Sequence, residues 1–111
     1  MDAIIPGERV VMSKLINDDK WVWVIIQNPG LNEKLLGQYD EKNEISFIPV
    51  FLDKESAEYC KQKLVLQKSV HEIQAIYYED LIKQVVEKKF MLFILNSEGK
   101  VLEKINPEII N

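Results

Sequence analysis

Six consecutive apolar residues, Trp21-Val22-Trp23-Val24-Ile25-Ile26, constrain this chain more than any other stretch. A second run, Phe90-Met91-Leu92-Phe93-Ile94-Leu95, repeats the feature near the other end. A strand wetted on one face alternates apolar with polar residues, because successive side chains point to opposite faces. Neither run alternates, so each reads as a central strand covered on both faces. Neither approaches the ~18 apolar residues that a membrane-spanning helix needs.

The remaining elements follow from punctuation and periodicity. Residues 1–6 read as a loose start, closed by Pro6-Gly7. Between Glu8 and Ile16, Val11 with Leu15 and Met12 with Ile16 are spaced for a short helix, and a strand over Arg9 to Leu15 stays open. Lys20 to Gln27 is the first strand, and Asn28-Pro29-Gly30 is a turn. Leu35 to Tyr39 is a short strand, with Gly37 as a weak point or bulge. Asp40 to Glu44 connects it to a third strand, Ile45 to Phe51. Pro49 suggests an edge position or the end of that strand, because proline cannot donate to a ladder.

Asp53 reads as the N-cap of a helix from Lys54 to about Gln67, with Ala57, Cys60 and Leu64 as its inward stripe. His71 to Tyr77 is the next strand. A helix then opens at Glu79-Asp80 and closes at Lys88-Lys89, burying Leu81, Ile82, Val85 and Val86. The second apolar run makes a strand from Phe90 to Asn96. Ser97-Glu98-Gly99 turns it, with Gly99 left-handed, into a final short strand from Val101 to Ile105. The order (α)βββαβαβ(β) predicts an α+β domain over residues 1–111, with one mixed sheet of about five strands. The helices after Asp53 and Glu79 would cover one face. The N-terminal helix or a partner subunit would cover the other, which makes a homodimer one way to complete the fold.

Composition excludes more than it assigns. At 111 residues, a single core without disulfides or metals is feasible. Net charge is −4, from 14 basic and 18 acidic residues, and Arg9 is the one arginine. That balance argues against nucleic acid, which is read by basic patches and arginine forks. It favours solubility and a basic partner. The single cysteine, Cys60, permits no internal disulfide and fits a reducing compartment. The opening MDAIIPGERV has neither a basic nor an apolar signal-peptide region. A cytoplasmic protein off the membrane is the expectation.

No motif carries a reaction. Phosphate-cradling glycine loops and hydrolase elbows are absent from the sequence. Cys60 and His71 are the only residues of their kinds, with no spacing for a zinc site, so no metal or other cofactor is expected. Cys60 lies on an apolar stripe and reads as a core thiol, and His71 as a half-exposed structural histidine. Tyr77-Tyr78-Glu79-Asp80 is the best surface candidate, because strand-to-helix junctions gather ligands at sheet ends. One tyrosine should face inward and the other outward, where it could anchor a contact. Trp21 and Trp23 share one strand face. They mark either core packing under a helix or a pocket or dimer seam.

The segment Phe47-Ile48-Pro49-Val50-Phe51-Leu52-Asp53-Lys54-Glu55-Ser56-Ala57 resembles a junction in small bacterial SseB N-terminal-like domains and related uncharacterised α+β families. There a strand ending in (L/I)PVF passes through a polar cap into a helix with an early Glu and Ala. The tryptophan strand, the Glu79-Asp80 helix and the strand ending at Leu95-Asn96 follow a similar order, so the resemblance spans roughly residues 8 to 107. Ser97 stands where those families often have proline. The resemblance implies a stand-alone module, often adaptor-like, and carries over no catalytic residue. The expected function is a non-enzymatic interaction module with a protein partner. One alternative is a small-ligand binder or minor enzyme, with Trp21 or Trp23, His71 and a carboxylate converging in a cleft. Another is an acidic immunity protein for a basic toxin or nuclease.

Overall fold

The tryptophan-bearing run folds as strand β1 (Trp21–Gln27), with Val22, Val24, Ile25 and Ile26 buried. In this computed structural model the described residues are 13–16, 20–63 and 70–107. They form an α+β fold. After β1 come β2 (Lys34–Leu35), β3 (Gln38–Asp40), β4 (Ile45–Val50), helix α1 (Lys54–Lys61), β5 (His71–Tyr77), helix α2 (Tyr78–Val85), β6 (Met91–Leu95) and β7 (Val101–Ile105). A short 3-10 turn, Val86–Lys88, extends α2.

The strands make two sheets rather than the expected one: a three-stranded β2-β1-β5 and a four-stranded β3-β4-β6-β7. Two positions cause the division. The expected Leu35 to Tyr39 strand breaks at Leu36-Gly37. Its first half pairs with β1, Ile26 opposite Leu35, and its second half with β4, Gln38 opposite Phe47. Pro49 marks the same division on β4. Trp23 and Phe51 exchange two backbone hydrogen bonds of 2.9 Å, which join the sheets at one bridge. Alternate residues of a strand aim their main-chain groups at the same edge. The nitrogen of Pro49 therefore faces the gap between the β3 partner of Phe47 and the β1 partner of Phe51, where no donor is needed. Pro49 is buried in an inner strand rather than at an exposed edge, and it stands next to last in β4, which is the strand-end alternative.

The helices cover opposite faces, not one face together. On the first, Tyr78, Leu81, Ile82 and Val85 of α2 pack over Val22 and Val24 of β1 and Leu92 and Ile94 of β6. On the second, Ala57 and Cys60 of α1 pack with Ile25 of β1, Phe51, and Phe93 and Leu95 of β6. Each apolar run thus feeds both cores, which explains why it does not alternate. Trp21 is the exception in the first run, being 54% exposed.

Local chemistry sets the element ends. The Asp53 carboxylate caps α1, accepting from Ser56 N at 2.7 Å and Ser56 Oγ at 3.2 Å. This helix ends at Lys61, short of Gln67, and Leu64 lies outside the described residues. Helix α2 begins one residue before the expected Glu79-Asp80 start, and Val86 falls in the 3-10 turn. Gly99 takes φ +84°, while the Asn96 side-chain oxygen accepts from Glu98 N and Lys100 N, both at 2.9 Å.

Residues 13–16 form neither the expected helix nor the strand, and residues 8–12 of that segment lie outside the described ones. Ser13 Oγ accepts from Leu15 N and Ile16 N, making a tight turn. That hydroxyl donates to Glu103 Oε1 at 2.8 Å, and Lys14 N donates to Glu103 Oε2 at 3.1 Å, which fastens the turn to β7. Ile16 is thereby held in the α2-side core.

Candidate functional site

Strands β1 and β5 pair antiparallel, with Trp21 opposite Tyr77, Trp23 opposite Ala75, Ile25 opposite Ile73 and Gln27 opposite His71. Tyr78 N donates to Lys20 O at 3.0 Å, and Asn28 N donates to Val70 O at 2.8 Å. Hydrogen-bonded pairs alternate with non-hydrogen-bonded ones along such a ladder. The even-numbered residues of β5 therefore bond to β1. The main-chain groups of His71, Ile73, Ala75 and Tyr77 point away from it.

Side chains approach most closely in non-hydrogen-bonded pairs. Trp21 and Tyr77 occupy such a pair and stack, with centroids 4.1 Å apart and ring planes 23° apart. Tyr77 is 41% exposed, so both rings of the stack meet solvent. Single exposed apolar side chains are ordinary, whereas touching ones form a patch. Trp23 is half-buried beside this patch, with the Lys54 ammonium 5.9 Å from its ring centroid. Tyr78 is only 1% exposed, which removes it from the surface expected at Tyr78 to Asp80. Glu79 and Asp80 are exposed, and Glu79 Oε1 lies 3.4 Å from Lys83 Nζ.

The outer edge of β5 runs beside the stack. Among the described residues no strand pairs with it. Its His71 end is occupied, because Lys61 Nζ reaches across from α1 and donates to His71 O at 2.9 Å. Its other end turns directly into α2. The stretch beyond it, Ile73 to Tyr77, contains no proline and no charged residue, which are devices that blunt an edge.

The structure does not gather Trp21, Trp23 and His71 around a cleft. His71 and Tyr77 sit at opposite ends of β5, roughly 20 Å apart at strand rise. A cleft of about 450 Å³ lies on the opposite, α2-side face, lined by Val24, Ile26, Leu35 and Ile76 together with the polar Glu33, Lys34, Gln74 and Gln84. Cys60 is 1% exposed, and burial pushes its thiol pKa up, which disfavours the reactive thiolate. Among the described residues no group of three or more His, Cys, Asp or Glu could hold a metal ion. No helix among them is long and apolar enough to cross a membrane. Trp21, Trp23 and Tyr77 were legible as candidates from sequence. Ile73, Ala75 and Lys61 were not, because an open edge is a property of long-range pairing.

Compared with models of protein families, with curated proteins and with solved structures, the chain finds no match in any of the three.

Proposed function

We propose that this chain is a non-enzymatic, adaptor-like protein-interaction module, with the Trp21–Tyr77 stack as its contact. One observation carries the reading. Two large aromatic rings are stacked on a rigid ladder, and both remain solvent-exposed. Aromatic side chains of this kind bury much area at small entropic cost and dominate binding energy where they anchor an interface. The likeness to SseB N-terminal-like modules is part of the same proposal, as is a cytoplasmic setting, supported by the single cysteine of the chain.

The test is affinity capture from the native host with the wild-type chain and a Trp21→Ala/Tyr77→Ala variant shown to be folded. A protein retained by the wild type and lost by the variant supports the reading. Equal retention by both, or no retention by the wild type, refutes it.

The cleft above Val24 and Ile26 favours a second reading, a small-ligand binder. Pockets of roughly 300–1,000 Å³ are the usual size of such sites, and this one is lined by apolar and polar side chains together. A thermal-shift screen against a metabolite library tests it. A stabilising compound whose effect disappears in Ile76→Trp would support it, and no hit at millimolar concentration would remove it.

A further inference from the structure

We infer that the open edge of β5 accepts an extended segment of a partner protein as an added strand, and that the segment alternates apolar with basic residues. This rests on the interaction-module reading and specifies the partner chemistry of the same site. The outward N–H and C=O groups of Ile73 and Ala75 and the N–H of Tyr77 offer a ladder without described strand partners, while the Tyr77 carbonyl, as the N-cap of α2, accepts the first bond of that helix. An incoming strand satisfies them by main-chain bonds, and its alternate side chains then meet the two faces of the sheet separately.

Those faces differ. On the α1 side the strand would lie against Tyr77 and Ile73, with the exposed Ala75 as a shallow dip between them and the Trp21 ring stacked behind. That side selects apolar residues. On the α2 side the confined stretch presents Gln74 and Ile76, flanked at one end by Glu72, whose carboxylate accepts from Gln74 Nε2 at 2.9 Å, and at the other by Asp80 and by Glu79, which lies 3.4 Å from Lys83 Nζ. Opposite charges across a strand pair are favourable and like charges are not. With the chain at −4 overall, lysine or arginine is the matching residue there. The lysine on His71 O closes the far end, so the added strand is confined to Ile73 to Tyr77. An edge this short offers little area towards the ~800 Å² per partner of a standard interface, which favours a peptide over a second copy of the chain.

A short capped peptide of alternating valine and lysine is the probe, titrated at low salt and followed by tryptophan fluorescence and calorimetry. Binding should weaken about tenfold or more with a valine–glutamate peptide, and likewise when alternate peptide nitrogens are methylated. Ala75→Pro should weaken it similarly, because it deletes an outward donor and no bond to β1. Should Ala75→Pro fail to fold, the methylated peptide still tests the ladder on the unchanged protein. Equal binding of methylated and unmethylated peptide, equal binding of the acidic peptide, or no binding at all overturns the inference. A dimer by light scattering that Ala75→Pro dissolves also overturns it, since the occupant is then a second copy. If a captured partner depends on Trp21 and Tyr77 but ignores Ala75→Pro, the module reading survives and strand addition falls.

Discussion

The Trp21–Tyr77 stack should be measurable as a coupling energy in a double-mutant cycle of wild type, Trp21→Ala, Tyr77→Ala and the double variant. Trp21 is 54% exposed, so a little under half of it is covered by the fold. A tryptophan buries at most about 250 Å². The covered part is then on the order of 100 Å², worth about 2.5 kcal/mol at 25 cal/mol per Å². That is an upper bound, because unfolded chains already hide part of their surface. Trp21→Ala should therefore cost roughly 1–2.5 kcal/mol, well inside the ~5–15 kcal/mol stability of a typical domain. The direct ring–ring part should be about 0.5–1 kcal/mol, the lower half of the range for aromatic pairs, because both rings are wetted. Urea unfolding of the four proteins, extrapolated linearly to water, reads it. A coupling indistinguishable from zero, below about 0.3 kcal/mol, would mean that the rings do not stack in solution. The contact platform would go with them.

Two further outcomes follow from local chemistry. Asp53→Ala removes the cap of α1 and should cost about 1 kcal/mol in urea unfolding, with Asp53→Asn recovering most of it. Asp40 accepts from the Asn43 side chain at 2.8 Å, and this bond is the main cause holding its carboxyl below the ordinary 3.8. A depressed folded pKa stabilises the fold above the unfolded value, and the contribution is lost as pH falls through the folded value. NMR titration should place the Asp40 midpoint below 3.8 and show it rising in Asn43→Ala.

How far the sequence reads the fold depends on whether a signal is local. The two unalternating runs were legible as central strands because being covered on both faces is written into consecutive residues. Asp53, the Asp40 to Glu44 connection and Gly99 were legible because caps and turns have short-range chemistry. That α1 and α2 take opposite faces was not, since both stripes look alike and the side each takes depends on the path between sheets. The sheet division was half-legible. Gly37 and Pro49 each looked anomalous inside a strand, but only the long-range pairing, Leu35 with Ile26 of β1 and Gln38 with Phe47 of β4, turns two local oddities into one boundary.

The outer edge of β5, with no strand partner among the described residues, is the least legible feature. His71 to Tyr77 alternates weakly and is only partly buried, so its residues look like those of an ordinary outer strand. Whether its outward groups are bonded depends on which strand lies alongside, and nothing within seven residues encodes that. What Ile73 to Tyr77 do encode is the lack of a proline or a charge. An edge strand with exposed main-chain groups tends to pair with other chains unless proline, lysine or a bulge blunts it. Here a lysine from α1 guards the His71 carbonyl, and the aromatic stack stands at the other end, where β5 turns into α2. An edge guarded at one end and furnished with aromatics at the other has a defined length and a defined polarity of side chains. Those are the attributes on which the proposed recognition of an extended segment rests. If main-chain addition is its use, moving the guard should move the footprint: Lys61→Ala should lengthen the stretch protected from amide exchange by the valine–lysine peptide to include His71, and an unchanged footprint would show that the lysine does not bound the site.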